Sequence, residues 1–432
     1  KVIGTFEHEK VKYDKLTKRD FLINCGTEQA LAYLLGGKGS VKLRNYMKNV
    51  QGITDKKFLN WVEHIEFKGD VYGMSEGTIF FAQESQLRVH ERFEEAQVYE
   101  SLLLSTLNPQ TNVCTTANDI FTVAPGKILL EGGSRRAGSP QAALFNSRAA
   151  RCGGFTASSN VAYGMAYDEK VGGTHGHSYV MLHPSEYAAF KAQAKMFKGT
   201  VCFLVDTYNV KNAFETALKI VQEEKLTNFG FRIDSGDLLA QAKWIHQEMK
   251  TRGYQRKDYT LVASDDLTAG KIARLEKEGA DIDKYLVGTY VVNPPKPLGG
   301  VYKLAAFQEA DGSWNLRGKL SEEFSKSTLP GIKQVCRVMG NDGYYKKDVI
   351  AFEGEDLVPY LQEGDSAEAL LVPMILQGKL VYDCLTINEI SQRRVQQLSK
   401  FKDIANYEVV ISAGIIAKQK EIMQQYGLQG GK

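Results

Sequence analysis

Apolar and polar positions along the chain follow two different rhythms. From Lys127 to about Leu304, short apolar runs alternate with segments of helical spacing. Ile128–Leu130 precedes Pro140–Cys152, Val171–Thr174 precedes Glu186–Phe197, and Val201–Val205 precedes Ala213–Glu223. Phe229–Ile233 then precedes Leu238–Met249, Tyr259–Ala263 precedes Lys271–Glu278, and Tyr285–Val287 closes the series. With one further strand near Phe155, the pattern predicts six or seven βα units. Such alternation builds a parallel sheet, open or closed into a barrel. Polar residues stand just past nearly every strand: Arg135 and Arg136, His177, Asp206, Arg232 and Asp234, Asp265 and Asp266, Gly288 and Thr289. A doubly wound sheet gathers ligands at one switch point, whereas a barrel collects side chains from many strand ends onto one face. The predicted fold is therefore α/β, a (β/α) barrel over residues 111–304.

Outside that span the rhythm changes. Val2–His8 reads as a strand and Thr27–Leu35 as a helix. Residues 67–93 alternate apolar and polar positions around glycines, as antiparallel strands do. Glu94–Leu107 reads as an amphipathic helix that Asn108-Pro109 should end. Beyond Leu304, DGSWNLRGKL and QEGDSAEALLVPMILQGKLVYD read as hairpins, and Ala413–Tyr426 as a closing helix. Residues 1–110 and 305–432 are expected to form one discontinuous α/β domain.

Composition narrows the classes. The chain has 432 residues, 43% hydrophobic and 24% charged, with a net charge of +3. That is ordinary for a globular protein and argues against broad nucleic-acid binding. The six cysteines form no CxxC pair, so neither a zinc knuckle nor a disulfide framework is expected, and the pattern fits a reducing cytoplasm. No apolar run of membrane-spanning length and no signal peptide are read, so no membrane partner is expected. The chain starts at Lys1 rather than methionine, and a missing amino-terminal piece is expected.

The candidate chemistry lies at the predicted strand ends. EGGSRRAGSP supplies two adjacent arginines, whose guanidinium forks suit carboxylate, phosphate or pyrophosphate. FRIDSGDL places Arg232 and Asp234 on one face of a strand, with a helix start behind them that favours an anion. Asp234 suits a ribose diol or a magnesium ion; the plainer reading is an ion pair, with Ser235 or Asp237 capping the helix. The acidic pair Asp265-Asp266 in LVASDDLTAGK resembles the loop of type I phosphoribosyltransferases, whose two carboxylates hold ribose hydroxyls; alternatively, Asp266 or Thr268 caps the next helix. His175 and His177 share one face of a presumed strand end, but spacing shows no third metal ligand. Asp206 could orient a histidine or hold magnesium. Lys303, Lys319, Lys326, Lys333 and Arg337 form a basic run that could meet pyrophosphate or simply be solvated.

Taken in order, GTEQALAYL, GDVYGMSEG, EGGSRRA, GGFTASSNVA, GGTHGHSYVM, LVDTYN, RIDSGDL, VGTYVV and KSTLPGIKQVCR resemble the nicotinate phosphoribosyltransferase family, a type II phosphoribosyltransferase. The resemblance implies an irregular (β/α) barrel with an α/β domain built from both termini, and a homodimer with sites at the subunit interface. It implies transfer of phosphoribose from phosphoribosyl pyrophosphate to nicotinate, with Mg2+ required and ATP as co-substrate, in NAD salvage. His177 matches a histidine that is transiently phosphorylated, and the catalytic set would be His177, Asp206 and Asp234. Thr174 and Arg232 match contacts to the base, and Arg135 one near the base or pyrophosphate. Asp266, Gly288 and Thr289 match ribose and phosphate positions. Ser159 stands where nicotinamide-using relatives carry aspartate, which favours the acid; alternatively Ser159 caps the helix through Val161.

Three positions depart from the family pattern. Gly132 replaces an aromatic that stacks on the pyridine, a T-D-x-Y segment before Val2 is absent, and Asp265 stands where glycine is usual. A nicotinamide phosphoribosyltransferase and a non-catalytic nucleotide-binding sensor on the same fold are the rival readings.

Overall fold

The computed structural model describes residues 1–8, 19–197, 200–319 and 327–427. The two rhythms separate into two units, one of Lys1–Asn112 with Pro297–Lys432 and one of Val113–Lys296.

The second unit is built on six parallel strands: β6 (Ile128–Glu131), β7 (Ala157–Ser158), β8 (Val201–Leu204), β9 (Phe229–Ile233), β10 (Tyr259–Ala263) and β11 (Lys284–Val287). These follow β1 (Val2–His8), β2 (Leu22–Ile23), β3 (Asp70–Met74), β4 (Ile79–Phe80) and β5 (Ser85–Glu91) of the first unit. Their order is β7-β6-β11-β10-β9-β8. The first strand thus pairs with the last, in register from Lys284↔Ile128 to Val287↔Glu131. That is the cyclic order of a (β/α) barrel. A single bridge, Ser158↔Val171, extends the far edge. Among the described residues no pairing joins Val171 to β8, so the ring carries a seam there.

The sequence sets the helices between these strands. Six of them begin on a Ser, Thr, Asn or Asp whose side chain accepts from the N–H three residues on: Ser139, Asn160, Ser185, Asn209, Asp237 and Thr268. Each cap satisfies an N–H that the first turn leaves unpaired. The helix Val210–Glu223 then buries Phe214, Ala217, Leu218 and Val221 along one face.

In the first unit the remaining strands are β12 (Gly300–Gln308), β13 (Trp314–Leu316), β14 (Lys333–Met339), β15 (Tyr345–Phe352), β16 (Ser366–Ala369), β17 (Leu371–Leu376), β18 (Lys379–Leu380) and β19 (Glu408–Ile411). A seven-stranded sheet, β13-β12-β1-β5-β3-β17-β18, interleaves strands from both ends of the chain. Phe6 lies opposite Tyr302 on one side and Leu87 on the other. All three are buried, with Leu34, Leu103 and Met374 in the same core. The β17–β18 hairpin turns on Gln377 and Gly378, at φ of 49° and 72°, the left-handed pair that a two-residue turn requires.

Several expectations are corrected. Pro109 does not end its helix: it lies inside Glu100–Val123, and the interruption falls earlier, between that helix and Phe93–Val98. Buried Leu103, Leu107, Val113, Ala117 and Ile120 continue one apolar face past the proline, and this packing outweighs the one lost N–H. Val171–Thr174 is no strand beyond the bridge at Val171, and a helix absent from the reading, His177–Leu182, starts soon after it. His175 and His177 therefore share no strand face. Of the basic run, Lys333 is fully buried 3.6 Å from Glu7, and Arg337 is fully buried against Asp348 at 2.6 Å. Neither is available to an anion in solution. Lys326 lies outside the described residues.

Candidate active site

At the carboxyl ends of β6, β9, β10 and β11 a cavity of about 180 Å³ opens. Gly132, Arg135, Arg136, Arg232, Asp234, Ser264, Asp265, Asp266, Leu286, Gly288 and Thr289 line it. Six of the ten sequence-predicted site residues are here: Arg135, Arg232, Asp234, Asp266, Gly288 and Thr289.

Arg232 is the fixed point. Strand alternation in β9 carries its side chain to the concave face, where it is 9% exposed. Its Nε donates to Ser264 Oγ at 2.8 Å, and one Nη donates to Thr174 Oγ1 at 2.7 Å and to the His175 carbonyl at 3.2 Å. The other Nη donates to Asp234 Oδ2 at 2.7 Å. Four acceptors leave this guanidinium no rotational freedom, so the charge it presents is preorganised. Thr174 is thus held against Arg232, although it does not itself line the cavity. The ion-pair reading of Arg232 and Asp234 is realised, together with an Asp237 cap behind them.

His177 is the first residue of its helix and does not line the cavity. Its Nε2 lies 3.2 Å from Asp206 Oδ1, and Asp206 Oδ2 accepts from Ser235 Oγ at 2.6 Å. Asp206 has a nearly buried carboxylate, so it orients the ring firmly. Through His175, two residues before it, His177 adjoins the Arg232 cluster. His175 itself is held at a pKa of about 4 by burial, with the Arg232 and His177 charges acting the same way.

Ser159 is exposed, and its N–H donates to the Glu131 carbonyl at 2.8 Å. The following helix is capped by Asn160 rather than Ser159, because Asn160 stands one residue before the first helical turn. Thr268, not Asp266, caps the helix after β10, which leaves Asp266 facing the cavity.

Two structural roles escaped the sequence reading. Glu131, 1% exposed at the end of β6, accepts from the Gly133 N–H, from Ser147 Oγ at 2.8 Å and from Ser158 Oγ at 2.5 Å. It ties the arginine-bearing turn to β7 and to the helix Pro140–Cys152. A carboxylate ending an otherwise apolar ILLE run was the available signal. Asp265 has φ of 93°, a region that L side chains rarely adopt. A glycine at this position would carry no such strain.

No group of three or more His, Cys, Asp or Glu that could hold a metal is found among the described residues. Arg135 and Arg136, both exposed, have no ion-pair partner among them. Among the described residues the cavity therefore offers two guanidinium groups without an ion-pair partner beside three carboxylates.

Strand order and cavity together define an α/β barrel-type unit whose ligand site lies at the carboxyl ends of its strands. No protein-family model matches the chain. It is 35% identical to the nicotinate phosphoribosyltransferase of Bacillus subtilis over 343 residues, 78% of this chain and 69% of that protein. It is 28% identical to nicotinate phosphoribosyltransferase pncB2 of Mycobacterium tuberculosis, over 84% of this chain and 75% of that one. The crystal structure of human nicotinic acid phosphoribosyltransferase shares the fold, with a TM-score of 0.79 at 23% identity, over 98% of this chain and 95% of that chain. The chain belongs to the nicotinate phosphoribosyltransferase family.

Proposed function

We propose that this protein transfers phosphoribose from phosphoribosyl pyrophosphate to the ring nitrogen of nicotinate, giving nicotinate mononucleotide and pyrophosphate in NAD salvage. The observation that carries this reading is Arg232, fixed by Thr174, His175, Ser264 and Asp234 at one wall of a cavity that also holds Arg135 and Arg136, neither with an ion-pair partner among the described residues. As the pyridine nitrogen attacks the anomeric carbon, the bond to pyrophosphate breaks and its electron pair leaves with the pyrophosphate. Positive charge grows on the ribose and negative charge on the leaving group. Asp234 and Asp266 face the first charge; Arg135, with the backbone at Gly288 and Thr289, faces the second. Arg232 and Thr174 orient the nicotinate carboxylate, and the neutral Ser159 leaves it unrepelled. Asp234 and Asp266 are the residues that would hold Mg2+, a cation that typically takes one or two carboxylates and completes its shell with substrate phosphates and water. Bound there, it would neutralise charge on pyrophosphate.

In the same reading, ATP phosphorylates His177. Nε2 is held by Asp206, so Nδ1 is the ring nitrogen that takes the γ-phosphoryl as ADP leaves; water later returns it as phosphate. The protein works as a homodimer in the cytoplasm. The helices Val161–Tyr167 and His177–Leu182 leave Met165 and Leu182 each 82% exposed, and a second copy would cover them. No helix among the described residues is long and apolar enough to cross a membrane.

Purified protein is incubated with phosphoribosyl pyrophosphate and either nicotinate or nicotinamide, with and without ATP, and products are separated by chromatography. Nicotinate mononucleotide, formed faster with ATP, is expected. Product from nicotinamide alone overturns the choice of base. Mononucleotide binding without turnover of either base makes the protein a sensor.

A further inference from the structure

The cavity is polar almost throughout: three arginines, three aspartates, a serine and a threonine stand around two glycines. Leu286 is the one apolar side chain among its lining residues. Its orientation follows from the sheet. Arg232 is in register with Val262, and Val262 with Lys284, so these three point to the concave face. Leu286 lies two residues beyond Lys284 and faces the same way. Its neighbours Tyr285 and Val287 are fully buried on the opposite face, whereas Leu286 is only half-buried.

Leu286 also occupies the space next to Gly132. A Cβ built on Gly132 would lie 2.8 Å from Leu286 Cδ1 and 3.2 Å from its Cγ. Any side chain at 132 would have to displace the leucine tip. The lack of a side chain at 132 and the position of Leu286 are therefore one arrangement: the glycine makes the room that the leucine fills.

An aromatic heterocycle bearing a carboxylate has one charged edge and two apolar faces. Its carboxylate is served by arginine, but a polar, hydrated wall gains nothing from a ring face. Burial of apolar surface needs an apolar partner. We propose that Leu286 supplies the surface against which the pyridine ring packs, and that it sets the affinity of this chain for its base. The proposal rests on the phosphoribosyl-transfer reading above. In that reading the ring lies over the leucine tip beside Gly132, with its carboxylate toward Arg232.

The test is steady-state kinetics with nicotinate and phosphoribosyl pyrophosphate varied separately, in wild type and in Leu286→Ala, Leu286→Met and Leu286→Asn. Shortening the leucine is expected to raise KM for nicotinate about tenfold, as loss of an apolar pocket contact does, with KM for phosphoribosyl pyrophosphate within about twofold. Leu286→Met, apolar and of similar volume, should keep the wild-type value. Leu286→Asn, similar in size but polar, should behave like Leu286→Ala, and it carries the test if the alanine variant fails to fold. The double variant Gly132→Phe with Leu286→Ala exchanges the two volumes and should recover nicotinate affinity, whereas Gly132→Phe alone should lose it. The proposal is overturned if Leu286→Ala and Leu286→Asn leave nicotinate KM unchanged, or raise both KM values equally. Failure of the wild-type protein to convert nicotinate at all would instead overturn the reading of the reaction, and this proposal with it.

Discussion

The Nη1 of Arg232 donates to Oγ1 of Thr174 at 2.7 Å, across 58 positions of sequence. This bond ties an irregular histidine-bearing segment to a barrel strand, next to the cavity that Arg232 lines.

Arg232→Lys keeps the charge but removes the fork, since an ammonium cannot satisfy Ser264, Thr174 and Asp234 together. A drop in kcat/KM for nicotinate of about 100-fold is expected, the loss typical of one preorganised donor. Arg232→Gln should lose more. Wild-type kinetics in Arg232→Lys would show that only charge matters at this position.

Asp206→Asn is near-isosteric but no longer stabilises a charged or phosphorylated His177. Stimulation by ATP should disappear, while the slow rate without ATP persists. Ser235→Ala, which removes one hydrogen bond of 2.6 Å to Asp206, should lower the ATP-stimulated rate about three- to tenfold. The ratio of rates with and without ATP is the measurement. An unchanged ratio in Asp206→Asn would separate this pair from ATP coupling.

Asp265→Gly relieves a backbone held at φ of 93°. The exposed contact of Asp265 with Lys271 at 3.5 Å adds little stability. Urea unfolding should show Asp265→Gly stabilised by about 1 kcal/mol and Asp265→Ala not stabilised, because alanine keeps the strain. Equal midpoints for the two variants would refute backbone strain as the cause.

His8 and His90 are each held at a pKa of about 4, burial being the largest cause in both. In the unfolded chain a histidine titrates near 6.5, so between pH 6.5 and 4 the unfolded state binds the more protons. Stability should therefore be flat above pH 6.5 and fall as pH drops toward 4, by up to about 1.4 kcal/mol per pH unit for each histidine. His8→Leu should reduce that slope. An identical slope in His8→Leu would assign the acid lability elsewhere.

The sequence by itself determined the strands and helices of the βα series, since each needs only local apolar spacing and a capping residue such as Asp237 or Thr268. It also marked the strand ends, where Arg232, Asp234, Asp266, Gly288 and Thr289 had to meet once the strands ran parallel. The tertiary structure decided what depends on distant partners. Pro109 sits within a helix because the apolar face continues on both sides of it. Val171–Thr174 forms no strand because its one bridge is to Ser158. Lys333 and Arg337 read as charges that meet pyrophosphate or stay solvated, yet they lie in a core, each with an acidic partner far away in sequence or on the next strand. Glu131 lies just past the predicted strand Ile128–Leu130 and Leu286 within Tyr285–Val287; the hydroxyls of Ser147 and Ser158 make Glu131 the anchor of the arginine turn, and the pairing of β11 with β6 puts Leu286 in the cavity wall beside Gly132. Spacing along the chain fixes which face a side chain takes, but what it meets there is set by contacts between segments that local sequence does not encode.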